Sequence, residues 1–524
     1  MPFNQNPSSL SSHFRALTAP FKNRKYIFLA LTLCSVFLLL FISTSADWSL
    51  ATKLPSGIFR SRPAQEARIR CSPEDYDSGE WVRRPYWSRP GPLNKANPDE
   101  PNVPDHEAPA PLENMTRKED ALTFSRFQGC ASGRDRWLQL GSDIKEKWDR
   151  FPQAHNWQWV PGGHCGRTGS AEDGLRLWDA EQMVRDLVEH GGWLLVGDSV
   201  TENHFFSLSC LLYPHVIAVP DYSHIRYDRK FPQNLYLNPT SPLLQSDSFT
   251  PSNPLRLPSG FNVTETPLVT FNRADLLWSQ NELLEMHKDL HPEIYGEDPE
   301  FKLFGDEVTY TMSPDTYLDT FTQPLPQGNY ATMVVSTAGH WTVGLFRGYQ
   351  KVRPGTGGVA SKLLFGNQTE LMAGSAEPMT FPEGEAVLGY DGLLAFFGEA
   401  MDRWAEKVHA RLAASTMPDQ SRRQVVLRPY LPGHIECHKQ REPFKEIQPL
   451  PENEYWNWGA VWKYNRLFER ILSSYDDLHY LKINRPARLR PDAHSSHDCL
   501  HILSGAGVLE GWTHYIWHYL TREL

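Results

Sequence analysis

A serine, a histidine and an aspartate in suitable positions can carry out acyl transfer, and this chain offers them in two separated places. The first is Gly197-Asp198-Ser199, which ends the short apolar run Trp193-Leu194-Leu195-Val196. The second is Arg490-Pro491-Asp492-Ala493-His494-Ser495-Ser496-His497-Asp498-Cys499-Leu500-His501. A serine hydroxyl becomes a nucleophile when an imidazole takes its proton, and the imidazole needs a carboxylate on its other nitrogen to fix the tautomer and stabilise the imidazolium. Asp498-x-x-His501 meets that need within one loop or helical turn. Asp492 and His494, two apart, form a rival pair. Taken alone, Gly-Asp-Ser is more often a helix cap than a nucleophile, because Asp and Ser are common cap residues. The second cluster changes that balance.

Elements that would position these residues can be read on both sides. Residues 180–190 place Met183, Val184, Leu187 and Val188 on one helical face, and Gly191-Gly192 stops the helix. The run 193–196 then reads as a buried strand. After Ser199, helical spacing resumes at Val200, His204, Leu208, Leu211 and Leu212. Further strands are expected at 215–219, 331–336, 424–427 and 480–483, and amphipathic helices at 390–413 and 456–474. Strands alternating with helices predict an α/β domain with a mainly parallel sheet. In such sheets ligands bind beyond the carboxyl ends of the strands, where Gly197-Asp198-Ser199 falls. A helix N-terminus beside Ser199 would help to stabilise an oxyanion.

Bulk properties set the compartment. The chain has 524 residues, a formal charge of −10 and 40% apolar content, so it can bury a large core and has no basic footprint for nucleic acid. Residues 26–46 carry no charge and as a helix would extend about 31 Å, enough to cross one bilayer. Ser43-Thr44-Ser45-Ala46 resembles a cleavage site, but the length favours an anchor over a removed signal. Arg15, Lys22, Arg24 and Lys25 precede the span and Asp47 follows it, which directs residues 1–25 to the cytosol and the rest to a lumen or the exterior. Residues 47–68 read as a stem, a Pro-rich loop covers about 84–112, and residues 69–524 form the expected catalytic domain. Sequons at Asn114, Asn262 and Asn367, and six cysteines beyond the span (Cys71, Cys130, Cys165, Cys210, Cys437, Cys499), fit an oxidising compartment, with fifteen disulfide connectivities open. No paired CxxC spacing indicates structural zinc, and no third ligand accompanies His434 and His438 or His514 and His518.

With these motifs in hand, the chain resembles the trichome birefringence-like polysaccharide O-acetyltransferases and their fungal relatives, in the PC-esterase branch of the GDSL/SGNH superfamily. The likeness runs in order over roughly residues 70–524. It is carried by Cys71 with Gly79-Glu80-Trp81, by Trp157-Gln158-Trp159-Val160-Pro161 with Cys165, and by Gly197-Asp198-Ser199 with Asn203. Ser209-Cys210-Leu211-Leu212, Gly339-His340-Trp341, Asp492-Ala493-His494 and Asp498-Cys499-Leu500-His501 followed by Gly507-Val508 continue it. The resemblance implies an SGNH-like three-layer α/β/α sandwich behind a single transmembrane helix, anchored in the Golgi membrane as a single-pass type II protein with a lumenal catalytic domain. It implies Ser199 as nucleophile, His501 as general base and Asp498 as orienting carboxylate, with the oxyanion hole built from the Ser199 N–H, a glycine and an asparagine. Asn281 fits the asparagine best. The implied reaction moves an acetyl group from a donor, acetyl-CoA or another carrier, to a polysaccharide or glycan hydroxyl through an acetyl-serine, with no bound cofactor. Glu202 departs from the pattern, standing where the family commonly has arginine, and Asp492 lies only six residues before Asp498.

Rival functions share or lack these residues in distinct ways. A carbohydrate acetylesterase would use the same triad and differ only in letting water attack the acyl-enzyme. A lectin-like scaffold would not need Ser199, Asp498 and His501 together. A glycosyltransferase would want an Asp-x-Asp at a strand end, and Asp75-Tyr76-Asp77 lies near the stem instead. His340 and Trp341 are expected to line the acceptor groove or else to be a satisfied histidine beside a buried tryptophan.

Overall fold

In the computed structural model of the chain, the described residues are 71–83, 140–166, 174–220, 231–244, 254–350, 389–415, 417, 422–450 and 456–524. The chain divides into residues 1–68 and 69–524. The expected tail, span and stem, the Pro-rich loop at 84–112, Asn114, Cys130 and Asn367 lie outside the described residues. No helix among the described residues is long and apolar enough to cross a membrane.

Two strands, β1 (Glu80–Arg83) and β2 (Trp157–Val160), pair antiparallel. The main sheet contains β3 (Gly192–Gly197), β4 (Val216–Val219), β5 (Gln233–Leu237), β6 (Pro267–Arg273), β7 (Tyr330–Ser336), β8 (Gln424–Leu427) and β9 (Leu478–Tyr480), in the order β4-β5-β6-β3-β7-β8-β9. The five strands from β6 to β9 in that order run parallel, while β4 and β5 add an antiparallel edge. The domain is therefore α/β with a mainly parallel sheet. Every residue of β3 is buried, as expected of a central parallel strand covered on both faces.

The helices that matter to the site are α1 (Ala180–Glu189), α2 (Ser199–Leu211), α3 (Gln280–Leu290), α4 (Pro314–Phe321), α5 (Tyr390–Ala413), α6 (Val461–Leu472) and α7 (Val508–His518). The Asp179 side chain caps α1 by accepting from Gln182 N, and Met183, Val184, Leu187 and Val188 are its buried stripe. Gly191 then takes φ 115°, which a side chain rarely adopts, and turns the chain into β3. Aromatic packing joins α5 to α6, with Phe397 edge-on to Tyr464 at 4.7 Å and to Phe468 at 5.2 Å. The indole of Trp404, also on α5, donates to the Tyr317 hydroxyl of α4.

Some boundaries differ from the sequence reading. The last strand ends at Tyr480 rather than starting there, and the helix expected over 456–474 opens with a 3-10 turn, Trp458–Ala460, before α6. Strands β5 and β6 were not anticipated. Pro267 opens β6, a position where a missing N–H is tolerated. In β5 the inward Gln233 looks like a surface residue until its buried partner, Glu202, is seen. Cys71 bonds Cys165 and Cys437 bonds Cys499; Cys210 is also disulfide-bonded. Asn262, in the loop before β6, is partly exposed and accepts from Thr264 N and Oγ1.

Candidate active site

The turn after β3 is forced by crowding. Gly197 lies in register with Arg273 of β6 and Ser336 of β7, and a Cβ there would sit 2.4 Å from Thr201 Oγ1 and 2.5 Å from Ser336 O. Asp198 caps α2, its Oδ1 accepting from Val200 N at 3.0 Å while its carbonyl accepts from Thr201 N and Glu202 N. The capping role thus belongs to Asp198, and Ser199 is left partly exposed as the first residue of the helix. Neither its hydroxyl nor its N–H has a hydrogen bond within the described residues, and both sit at the positive end of the helix.

The C-terminal cluster is a braced loop. His494 and Ile502 form an antiparallel bridge, Ser495 N donates to His501 O and Leu503 N to Ala493 O. Asp492 is fully buried and clasped by Arg490, at 2.9 Å from Nε and 3.0 Å from the other nitrogen. Arg150 donates to the carbonyls of Asp492, His494 and Ser495. Asp492 therefore serves the loop's frame. Asp498 does something different. Its Oδ1 accepts from Leu500 N and His501 N, and its Oδ2 lies 2.7 Å from His501 Nδ1. Burial alone would raise the Asp498 pKa, but the His501 charge and these hydrogen bonds hold it well below the usual carboxylate range. For His501, burial pulls downward, and the charge and hydrogen bond of Asp498, with Asp198 beyond, lift it above its ordinary value. His501 Nε2 is buried and makes no hydrogen bond within the described residues.

Helix α2 holds this loop beside the serine. Asn203 is one turn beyond Ser199 on the same helix face, and its Oδ1 accepts from Ile502 N, the neighbour of His501, at 2.8 Å. Farther along, Ser207 donates to Glu510, whose two oxygens also accept from Gly505 N and Gly507 N. His204 Nε2 lies 2.9 Å from Thr513 Oγ1 of α7. These contacts explain why residues 200–211 are all buried and show no polar face turned to water.

Neighbouring strand ends contribute charges. Glu202 is buried, accepts from Gln233 Nε2 at 2.7 Å and lies 3.5 Å from an Arg273 nitrogen. The Glu202 carboxylate is thus matched by a cation from β6. Arg273 also pairs with Asp275 at 2.6 Å; Asp275 accepts from Tyr310 N and, through its carbonyl, from Thr337. His340 Nε2 stands 3.7 Å from Asp275 Oδ2 with a quarter of its side chain exposed. Burial raises the Asp275 carboxyl against the pull of His340 and Arg273. The Arg428 guanidinium covers the Trp512 ring at 3.8 Å, and burial brings it down to about 10 against the opposing charge of Asp198.

Of the two arrangements expected for Trp341 the buried one is found, and Asn281 lies outside the hydrogen-bonded network of the site. Trp341 is fully buried, stacked on Phe346 at 4.7 Å and edge-on to Phe397 at 4.9 Å, so its faces are used by the core and it does not line a groove. Asn281 is exposed in the first turn of α3, past the Ser279 capping box, and shares no hydrogen bond with the Ser199 turn or the C-terminal loop. The residue that meets Gly197 O from the end of β6 is Ala274, through its N–H at 2.9 Å. Asp75 and Asp77 accept backbone N–H groups of His164 and Arg485, and Cys437, His438 and Cys499 cluster around a disulfide. His434 bonds His494 and Arg488 O, His514 bonds Arg176 O, and His518 bonds Glu523. Sequence reasoning missed Arg273, Asp275 and Glu510. Only Glu510 left a local signal, three residues after Gly507 at a helix start. No protein-family model matches the chain, and no curated protein matches it.

Proposed function

We propose that the chain is an O-acetyltransferase that moves an acetyl group to hydroxyls of a polysaccharide or glycan through an acetyl-Ser199 intermediate. The observation that carries this reading is His501: Nδ1 is held by Asp498, Nε2 is buried without a hydrogen-bond partner among the described residues, and the loop is tied by Asn203 one turn from Ser199. In the first half-reaction Ser199 Oγ attacks the acetyl carbonyl as His501 Nε2 takes its proton. The tetrahedral oxyanion faces the Ser199 N–H at the helix start. Collapse expels the donor's leaving group, a thiolate if the donor is acetyl-CoA, which recovers the proton from His501. In the second half a sugar hydroxyl gives its proton to His501 and attacks the acetyl-serine, releasing the ester and Ser199. The SGNH-like layering, the single-pass type II anchor at residues 26–46 and a Golgi lumenal location belong to the same proposal. They draw support from the parallel sheet, the charge flanking the span and the disulfides.

The alternative is a carbohydrate acetylesterase, in which water replaces the sugar hydroxyl. The full-length protein, incubated with an acetyl donor with and without glycans, separates the two. Ester appearing on the glycan supports the transferase, and acetate released at the same rate whether or not glycan is present supports the hydrolase.

A further inference from the structure

A cavity of about 270 Å³ opens at the β8–β9 end of the sheet, lined by Pro432 beyond β8, Tyr480 at the end of β9, Trp458 in the 3-10 turn before α6 and Trp462 in its first turn. Because β8 and β9 run parallel to β3, their carboxyl ends share the sheet edge that carries Ser199. The cavity adjoins the catalytic loop. A Cβ on Gly433 would lie 2.4 Å from the Trp458 ring and 2.5 Å from Cys499 O, so Gly433 touches both Trp458 and the segment that contains Asp498 and His501. Asn457, beside it, donates to Ala338 O and Trp341 O in the loop that bears His340. Asn465, on the cavity wall, accepts from Tyr430 N and donates to Tyr430 O.

The wall chemistry is unusual for a structural cleft. Trp458 and Trp462 are only partly buried, and Trp456, two residues earlier, is 67% exposed with φ 64°, a backbone region that bulky residues avoid. Cations outnumber anions. Glu469 is shared by Arg466 and Lys482. Arg488 lines this cavity and a smaller one of about 100 Å³ beside it, yet its guanidinium makes no hydrogen bond or ion pair within the described residues. Asp77 is the carboxylate whose field reaches Arg488, and burial pushes its pKa up to about 7. A guanidinium forks two parallel donors toward a carboxylate, and flat aromatic faces accept the C–H face of a sugar ring.

We propose that this cavity is a second glycan subsite that holds a sugar ring bearing a carboxylate, with the ring on Trp458 and Trp462 and the carboxylate on Arg488. This rests on the reading of the acceptor as a glycan. The volume, just below the range of pockets for drug-sized ligands, suits one ring.

The test is equilibrium binding to the full-length protein carrying Ser199→Ala, followed by tryptophan fluorescence, with trigalacturonate, cellotriose and inorganic phosphate as probes. Trigalacturonate is expected to bind saturably, and cellotriose about tenfold more weakly, as expected when one charge-assisted contact is missing. Arg488→Gln should bring trigalacturonate to the cellotriose level and leave cellotriose unchanged, while Trp462→Ala should weaken both. Equal binding of the two sugars, affinity unmoved by Arg488→Gln, or displacement of trigalacturonate by equimolar phosphate would overturn the assignment. The Arg488 guanidinium makes no hydrogen bond or ion pair within the described residues, so its variant keeps the proposal testable if the tryptophan variant fails to fold, as thermal melting would show. Because no turnover is measured, failure here leaves acetyl transfer through Ser199 standing, and failure of acetyl transfer leaves this binding result standing.

Discussion

Asn203 and Ile502, 299 residues apart in sequence, are joined by a 2.8 Å hydrogen bond from the Ile502 N–H to the Asn203 side-chain oxygen. The bond fixes the backbone next to His501 to the helix that begins with Ser199. Replacing Asn203 with Ala leaves a buried N–H without its acceptor, which costs about 1–3 kcal/mol. The same change frees the loop to shift by a fraction of an ångström, and a misplacement of that kind can reduce turnover on the order of 10²-fold. Asn203→Ala should therefore lower both melting temperature and kcat, with KM for the donor little changed. Steady-state kinetics beside a thermal melt checks it.

The two aspartates of the C-terminal loop should separate cleanly. Asp498→Asn is expected to keep the fold and lose about 10³–10⁴-fold in kcat, because the amide no longer supports the imidazolium. Asp492→Asn breaks a fully buried pair with Arg490, a class of change that costs about 3–5 kcal/mol. Its effect should fall on stability, with the folded fraction retaining most of its turnover number. Active-site titration combined with melting distinguishes them, and the reverse pattern would give the orienting role to Asp492.

The pH dependence follows from the same pair. His501 acts as a base only when neutral, and its pKa lies above the ordinary 6.5. kcat/KM should rise with pH with a midpoint above 6.5, and Asp498→Asn should move that midpoint down. For stability the signs differ. The depressed Asp498 contributes stability that is present above the ordinary carboxylate value and is lost as pH falls through its folded value. The raised His501 contributes stability that is complete below 6.5 and is lost as pH rises through its folded value. The pair's contribution is thus greatest between these limits, which urea unfolding across pH would reveal in wild type and not in Asp498→Asn.

The Cys437–Cys499 disulfide, closing a separation of 62 residues, holds the middle of the Asp498–His501 segment, and Cys499 O accepts from His434 N. Cys499→Ser should cost about 2–5 kcal/mol and reduce activity beyond what the lost folded fraction accounts for. Peptide mapping that finds Cys499 as a free thiol in the active protein would contradict this.

What could be read from the sequence was whatever is encoded locally. The alternation of strands and helices, the stop at Gly197 and the three-residue reach from Asp498 to His501 depend on neighbours in the chain, and each was visible there. The strands β5 and β6 were not, because their polar residues make sense only through distant partners: Gln233 through Glu202, and Thr270 through the Asn234 side chain and the Tyr330 hydroxyl. The same reason hid Arg273 and Asp275, whose partners arrive from α2, from the segment before α4 and from the loop after β7. For Trp341 the two expectations stayed open in the sequence because a Gly-His-Trp motif does not say which of its rings faces the core.

In the proposed mechanism Ser199 carries the acetyl group and His501 activates it. Brief exposure of the full-length protein to acetyl donor, quenched in acid and followed by peptide mass spectrometry, measures this directly. One acetyl group is expected on the peptide containing Ser199 in the wild type, and no acetylation there in Ser199→Ala or, on the same timescale, in His501→Ala. An acetyl group trapped on a different residue, or full transfer activity in Ser199→Ala, would contradict it.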